Sequence, residues 1–202
     1  MTAIIIDLEW NYPVRGTRGV EGLPHEIIQI GAGKIDGEAN ITDTFSEFVR
    51  PKYYTRLNKD VAELTLIKNE ELQGAKSFPE VMEAFRSWCG EDFVFITWSG
   101  TDIRVLERNF IKHGMDTGWL PPVYDAQLMF DDMEMQEDRS WPLNYALYHF
   151  QEKPDGQHNA LADVRSTIQV LKHLDLAEGL ADDYFRCDPQ AQELWTDNTE
   201  KG

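Results

Sequence analysis

The stretch IIIDLEW, Ile4 to Trp10, limits what this chain can fold into more than any other feature. Three β-branched apolar residues in a row read as a buried strand. That strand ends on two carboxylates, Asp7 and Glu9, one residue apart. Side chains alternate faces along a strand, so these acids share a face, roughly 6–7 Å apart. Like charges at that spacing repel, and burial raises the cost. Two arrangements relieve it: a cation bound between the acids, or a strand end that has already reached water, where acids are at home. The spacing alone leaves both open.

A chain of 202 residues fits one compact domain with a sizeable core. The net charge is −17, from 19 basic and 36 acidic residues. Such a balance argues against gripping nucleic acid by bulk electrostatics, because phosphate binding draws on Lys and Arg. Metal ions recruited to one site would offset charge locally, so the overall sign does not decide the matter. Much of the excess lies in FDDMEMQEDR, Phe130 to Arg139, and in the tail from Ala181 onward. The organisation expected is one domain over residues 1–178 and an acidic tail over 179–202, of a composition that suits partial disorder. No apolar run approaches the ~18 residues of a membrane span, and no secretion signal opens the chain. Cys89 and Cys187 are too few for a disulfide framework and lack zinc spacing. A cytoplasmic protein without a membrane partner is the expectation.

Three strands come first, then helices and strands alternate. Ile4 to Glu9 is followed by a Gly- and Pro-rich loop, NYPVRGTRGVEGLP. Glu26 to Ile35 and Ile41 to Val49 form the next two strands, joined by the turn DGEAN. SFPE, Ser77 to Glu80, is a capping-box pattern with proline in the first turn, opening a helix to about Trp88. Phe93 to Trp98 reads as a buried strand, and a helix from Asp102 to His113 follows it, closed by Gly114. PVYDAQL supplies a fifth strand. Two helices follow, near Pro142 to Phe150 and Ala160 to Leu174; in the second, Leu161, Val164, Ile168 and Leu171 recur at helical spacing as a core face. The fold class is α/β, with a central mixed five-stranded sheet whose first three strands are antiparallel, flanked by helices.

Three further residues carry chemistry. Asp102 stands at a strand-to-helix junction, where a helix N-terminus favours a carboxylate. His158 and, five residues later, Asp163 open the last helix in HNALADV. Each has an ordinary reading by itself: a helix-start acid, a loop histidine, a solvated first-turn acid. Together with Asp7 and Glu9 they make a set suited to one reaction. Hard divalent cations take carboxylate oxygens, and two metals stabilise both the attacking and the leaving oxygen of a phosphoryl displacement. Acids must then converge from separate elements, and histidine has a pKa suited to deprotonating water near neutrality.

DLE in a strand, TD opening a helix after a buried strand, and H-x-x-x-x-D opening the last helix resemble the DEDDh branch of the 3′–5′ exonucleases, a DnaQ-like family of ribonuclease H-like fold. The likeness runs over residues 4 to 175. PHEIIQIGA, FSEFVRP and SFPEVMEAFRSW resemble its second strand, third strand and following helix, and ELTLIKNEEL resembles the short element that usually reads LTGI. The wording is most similar to the branch that trims histone mRNA ends and small RNAs, and to its bacterial relatives. The resemblance implies two divalent ions, Mg²⁺ or Mn²⁺, held by Asp7, Glu9, Asp102 and Asp163, with Asp7 bridging both. It implies that His158 is the general base, that Glu9 also holds the terminal 3′-hydroxyl, and that Leu64 wedges against the terminal bases. The substrate would be the 3′ end of single-stranded nucleic acid, RNA favoured over DNA, and the products nucleoside 5′-monophosphates. The metal-free site should then be strained, with raised carboxylate pKa values.

The chain departs from the family at three places. Trp10 stands where a small residue or Thr is usual; alternation turns it away from Asp7 and Glu9 and favours packing, although at a strand end it could stack on a terminal base. Leu66 replaces the glycine of LTGI, where glycine permits close approach or unusual backbone angles. The acidic surface implies a weak grip on long polymers, a short substrate, or delivery by a protein partner docked on that surface; candidate basic contacts are Arg15, Arg18, Arg104, Arg108 and Arg165. The alternatives are a DNA exonuclease of proofreading or repair type, and a non-cutting binding module on the same fold. The sequence leaves the oligomeric state open.

Overall fold

The computed structural model describes residues 1–135, 140–156 and 158–187. The last four residues of the acidic stretch 130–139, Gln157, and the tail beyond Cys187 lie outside the described residues.

In chain order the elements are β1 (Thr2–Asn11), β2 (Glu26–Ile35), β3 (Ile41–Arg50), α1 (Lys59–Thr65), α2 (Asn69–Gly74), β4 (Lys76–Ser77), α3 (Phe78–Cys89), β5 (Phe93–Thr97), α4 (Thr101–Lys112), β6 (Val123–Asp125), α5 (Ala126–Met133), α6 (Leu143–His149), α7 (Ala160–Leu171) and α8 (Leu176–Ala181), then a 3₁₀ turn at Asp183–Phe185 and β7 (Arg186–Cys187). They build a seven-stranded sheet in the order β4-β3-β2-β1-β5-β6-β7. The β1–β2 and β2–β3 pairs are antiparallel, and β5 and β6 continue beside β1 in parallel. The five expected strands are present, and the count rises to seven because Lys76–Ser77 and Arg186–Cys187 pair with the ends of β3 and β6. Two-residue strands are too short to leave an alternation pattern. The fifth strand is also shorter than PVYDAQL: Asp125 caps α5, so the chain turns helical at Ala126.

Alternation along β1 sorts the core. Ile4, Ile6 and Leu8 pack with Phe78, Phe85, Leu106 and Phe110 from α3 and α4. Ile5 faces the other way, into a cluster with Val164, Ile168 and Leu171 of α7. Asp7 and Glu9 share the Ile5 face, so the acids point toward the layer that α7 occupies. Leu161, expected in the α7 core stripe, is only half-buried. Two glycines of β2 let α7 lie close: a β-carbon on Gly33 would stand 3.1 Å from Val164, and one on Gly31 would stand 2.4 Å from the backbone of Ala160.

The capping box at Ser77 forms as expected, with the Glu80 carboxylate accepting from the Ser77 N–H. The packed chain continues past residue 178, since β7 pairs with β6 and Phe185 is buried in the α7-side cluster. Among the described residues, no helix is long and apolar enough to cross a membrane.

Candidate active site

The cleft forms where β1 ends, between the starts of α4 and α7. It is an open depression of about 280 Å³ lined by Asp7, Glu9, Asp102, His158 and Asp163, with Trp10, Leu64 and Thr65 among its other walls. All five chemistry-bearing residues singled out in the sequence therefore meet, together with both candidate base-contacting residues.

Each acid is positioned differently. Asp7 and Glu9 are set by β1, whose register places Asp7 opposite Gly31 and Glu9 opposite Gln29. Asp102 is buried in the first turn of α4, and its carboxylate accepts from the N–H of Leu8 at 3.2 Å, which ties the helix start to β1 between the two acids. Asp163 sits in the first turn of α7, where Asn159 caps the helix by accepting from the N–H of Ala162. The backbone of His158 and Asn159 lies near enough to the Asp163 carboxylate to lower its pKa, and His158 takes a left-handed backbone, with φ of 57°. The N–H of Ala160 goes to the buried side chain of Gln29, at 3.3 Å.

Carboxylate oxygens of Asp7, Glu9 and Asp163 all come within 4.8 Å of one another. Burial first, and the neighbouring charges of Asp102, Asp163 and Glu9 second, hold the Asp7 pKa well above the ordinary carboxylate range. Burial, then Asp163 and Asp102, push Glu9 up to about 8. Burial drives Asp102 up to about 7, against the lowering hydrogen bond from Leu8. Asp163 is raised by burial, opposed by His158 and its backbone bond. Such a cluster of close oxygens, strained when empty, fits a hard divalent cation that neutralises it.

Trp10 packs against the core and also borders the cleft. Its ring packs on the α3–α4 side of the core, 5.5 Å from the ring of His25, and its edge reaches the cleft. Leu64 is 53% exposed, so it is a cleft wall and not a core leucine. Leu66 caps α1 in the left-handed region, φ 60° and ψ 8°, which explains why glycine suits that position.

Asp125 and Gln29 escaped the sequence reading. Asp125 is buried at the end of β6 and accepts from Gly100 at 3.0 Å and from Gln127 and Leu128, so it fixes both the loop before Asp102 and the start of α5. Burial pushes its pKa up to about 6. The sequence signal is only that of an acid between a short strand and a helix; the parallel pairing of β6 with β5 is what puts it beside the Asp102 junction.

The chain matches the family model described as Exonuclease over residues 4–171. It is 28% identical over 170 residues to a DNA polymerase III PolC-type protein of Streptococcus pyogenes serotype M18. That match takes in 84% of this chain but 11% of the relative, so the chain spans about a tenth of the curated relatives it resembles. In fold it is similar to the nuclease domain of 3′hExo, a DEDDh family member, bound to rAMP, with a TM-score of 0.77 at 20% identity over 88% of this chain and 92% of that one. It is also similar to cell-death related nuclease 4, with a TM-score of 0.73 at 18% identity over 86% and 65% of the two chains. E. coli exonuclease I in complex with a dT13 oligonucleotide gives 0.67 at 18% identity over 91% and 43%.

Proposed function

The chain belongs to the exonuclease family, of the DEDDh type and ribonuclease H-like fold, and on that premise we propose that its acidic cleft removes nucleotides from the 3′ end of a single strand. The observation that carries this reading is the convergence of Asp7, Glu9, Asp102, Asp163 and His158 on one depression. Two divalent cations, Mg²⁺ or Mn²⁺, would neutralise the acids and the scissile phosphate and make water a better nucleophile at neutral pH. Asp7, Glu9, Asp102 and Asp163 would hold them, and Asp7 feels the charges of the other three. His158 takes the proton of the attacking water. Glu9 also accepts a hydrogen bond from the terminal 3′-hydroxyl. Leu64 and Trp10 flank the terminal base, one as an apolar wedge and one as a stacking surface. Hydrolysis on the 3′ side of the penultimate nucleotide releases a nucleoside 5′-monophosphate.

RNA is the substrate we favour, on the wording of the strand and helix motifs and the likeness to the nuclease domain bound to rAMP. A second reading, a DNA exonuclease, draws on the DNA polymerase III PolC-type relatives. The acidic remainder of the surface suits a basic protein partner. We place the end of the domain at or beyond Cys187, because β7 completes the sheet edge.

The test is a paired digestion of 5′-labelled single-stranded RNA and DNA of one sequence with Mg²⁺, Mn²⁺ or EDTA, beside Asp7→Ala. A ladder shortening from the 3′ end, absent with EDTA and in the variant, is expected, and the faster ladder identifies the sugar. Full activity in Asp7→Ala would sink the mechanism.

A further inference from the structure

Asn11 ends β1 two residues after Glu9, and it is fully buried. A buried amide is costly unless its donors and acceptor are used. Among the described residues its side-chain hydrogen bonds all go to one place, the loop that leads into α1. Its Nδ2 donates to the carbonyl of Tyr54 at 2.8 Å and to that of Arg56 at 3.0 Å. Its Oδ1 accepts from the N–H of Asn58 at 2.9 Å. The ladder partner of Asn11 is Glu26, whose buried carboxylate accepts from the N–H groups of Lys52, Tyr53 and Tyr54. The two side chains divide the loop between them: Glu26 holds its start, and Asn11 holds the end that runs into the helix.

What that helix carries gives the anchoring its meaning. α1 supplies Val61, Leu64 and Thr65 to the walls of the acidic cleft. A helix of seven residues cannot hold itself together in water, so its place depends on what fastens it. Asn58 caps it by accepting from the N–H of Asp60 at 3.0 Å. The same side chain donates to the carbonyl of Pro13 at 3.4 Å, which ties the cap back to the chain just beyond β1. Leu57 and Val61 share a buried cluster with Ile28 of β2. The strand that presents Asp7 and Glu9 thus also sets, through Asn11, where the helix bearing Leu64 begins.

We infer that Asn11 is a positioning residue: it fixes how far the Leu64 wall stands from the acid pair on β1, and so how tightly the terminal nucleotide is held between them. The inference rests on the exonuclease reading and deepens it. An apolar side chain at Asn11 would leave two carbonyls and one N–H of the loop without their partner. Those groups would turn toward water and carry the start of α1 with them. The acids are set by β1, α4 and α7, so the metal site stays whole while the grip on substrate loosens.

The test is a double-mutant cycle on substrate affinity. Asn11→Ala, Leu64→Ala and the double variant are compared with the parent, all carrying His158→Asn so that a strand bound with Mg²⁺ is cut slowly. Binding of a 5′-fluorescein single-stranded RNA is followed by anisotropy. Asn11→Ala should weaken binding about tenfold, the scale of a displaced binding wall. In the Leu64→Ala background it should add less than about twofold, because the wall it places is already gone. The rise in melting temperature on adding Mg²⁺ should match the parent's. With His158 restored, KM should rise about tenfold while kcat stays within about threefold, the pattern of binding lost without loss of the chemical step. Where Asn11→Ala does not fold, Asn11→Ser, which keeps a hydroxyl donor for one of the carbonyls, takes its place in the same cycle. Parent-level affinity in the Asn11 variant, losses that add in the double variant, a lost Mg²⁺ shift or a fall in kcat alone would each overturn the positioning role. A parent that binds the strand but does not cut it would instead overturn the exonuclease reading, with the cycle still deciding Asn11. No binding by the parent would overturn both.

Discussion

Gly31 of β2 lies directly beneath the first residue of α7: a β-carbon there would stand 2.4 Å from the carbonyl carbon of Ala160. Gly31 is also the partner of Asp7 in the antiparallel ladder. One hydrogen atom in place of a side chain therefore sets how close the helix bearing Asp163 comes to the strand bearing Asp7. Gly31→Ala must push backbone against backbone. The expected result is a loss of about 1–3 kcal/mol in stability, the range for overpacking a core, and a fall in turnover larger than the fraction unfolded explains. Urea denaturation beside kcat on a labelled oligomer checks both. A variant with parent stability and activity would show that α7 can slide without disturbing the acids.

The same proximity makes the metal-free protein sensitive to pH. Glu9, Asp102 and Asp125 have folded-state pKa values of about 8, 7 and 6, against roughly 4 for an unfolded carboxylate. The folded chain then binds more protons than the unfolded chain between about pH 4 and pH 8, and the unfolding free energy falls as pH rises through that window. The contribution is fully present below about pH 4 and lost by about pH 8. Mg²⁺ or Mn²⁺ competes with those protons, so its stabilisation should grow with pH. Urea midpoints at pH 5, 6.5 and 8, in EDTA and in Mg²⁺, should diverge as pH rises. A midpoint in EDTA that climbs with pH would contradict the electrostatic account of the cleft.

Leu66 has a measurable consequence for stability. A non-glycine residue in the left-handed region costs roughly 1–2 kcal/mol, and Leu66 is 76% exposed, with little packing to lose. Leu66→Gly should therefore raise stability by about 0.5–1 kcal/mol after the added chain entropy of glycine is subtracted. A differential scanning comparison reads this directly, and a lower melting temperature would mean that the leucine makes contacts beyond its own helix end.

Much of this site could be read from residue order, and the reasons are local. Asp7 and Glu9 follow from two-residue alternation after three β-branched residues, and Asp102 and Asp163 from helix starts that sequence marks well. The seven-stranded sheet was not legible, because Lys76–Ser77 and Arg186–Cys187 are strands only by virtue of their neighbours. Asp125 resembles any helix-capping acid until the parallel pairing of β5 and β6 puts it beside Gly100. GAG in β2 signals a close approach, but nothing in the sequence says that the approaching element is the start of α7. For Trp10, alternation favours packing and the strand end leaves room for stacking on a base; the structure packs its ring and puts it on the cleft wall.

His158 needs a substitution that respects its backbone. Its φ of 57° makes alanine a strained replacement, so a weak His158→Ala protein would confound loss of the imidazole with movement of the loop that leads into α7 and Asp163. Asparagine tolerates left-handed angles better than other non-glycine residues. His158→Asn should keep the loop and the rise in melting temperature on adding Mg²⁺. Turnover should nonetheless drop by about 10²–10⁴, the usual worth of a positioned general base. If instead the metal-induced shift disappears together with activity, His158 acts by holding Asp163 in place. Parent-level turnover with the metal shift intact would remove it from the proton transfer altogether.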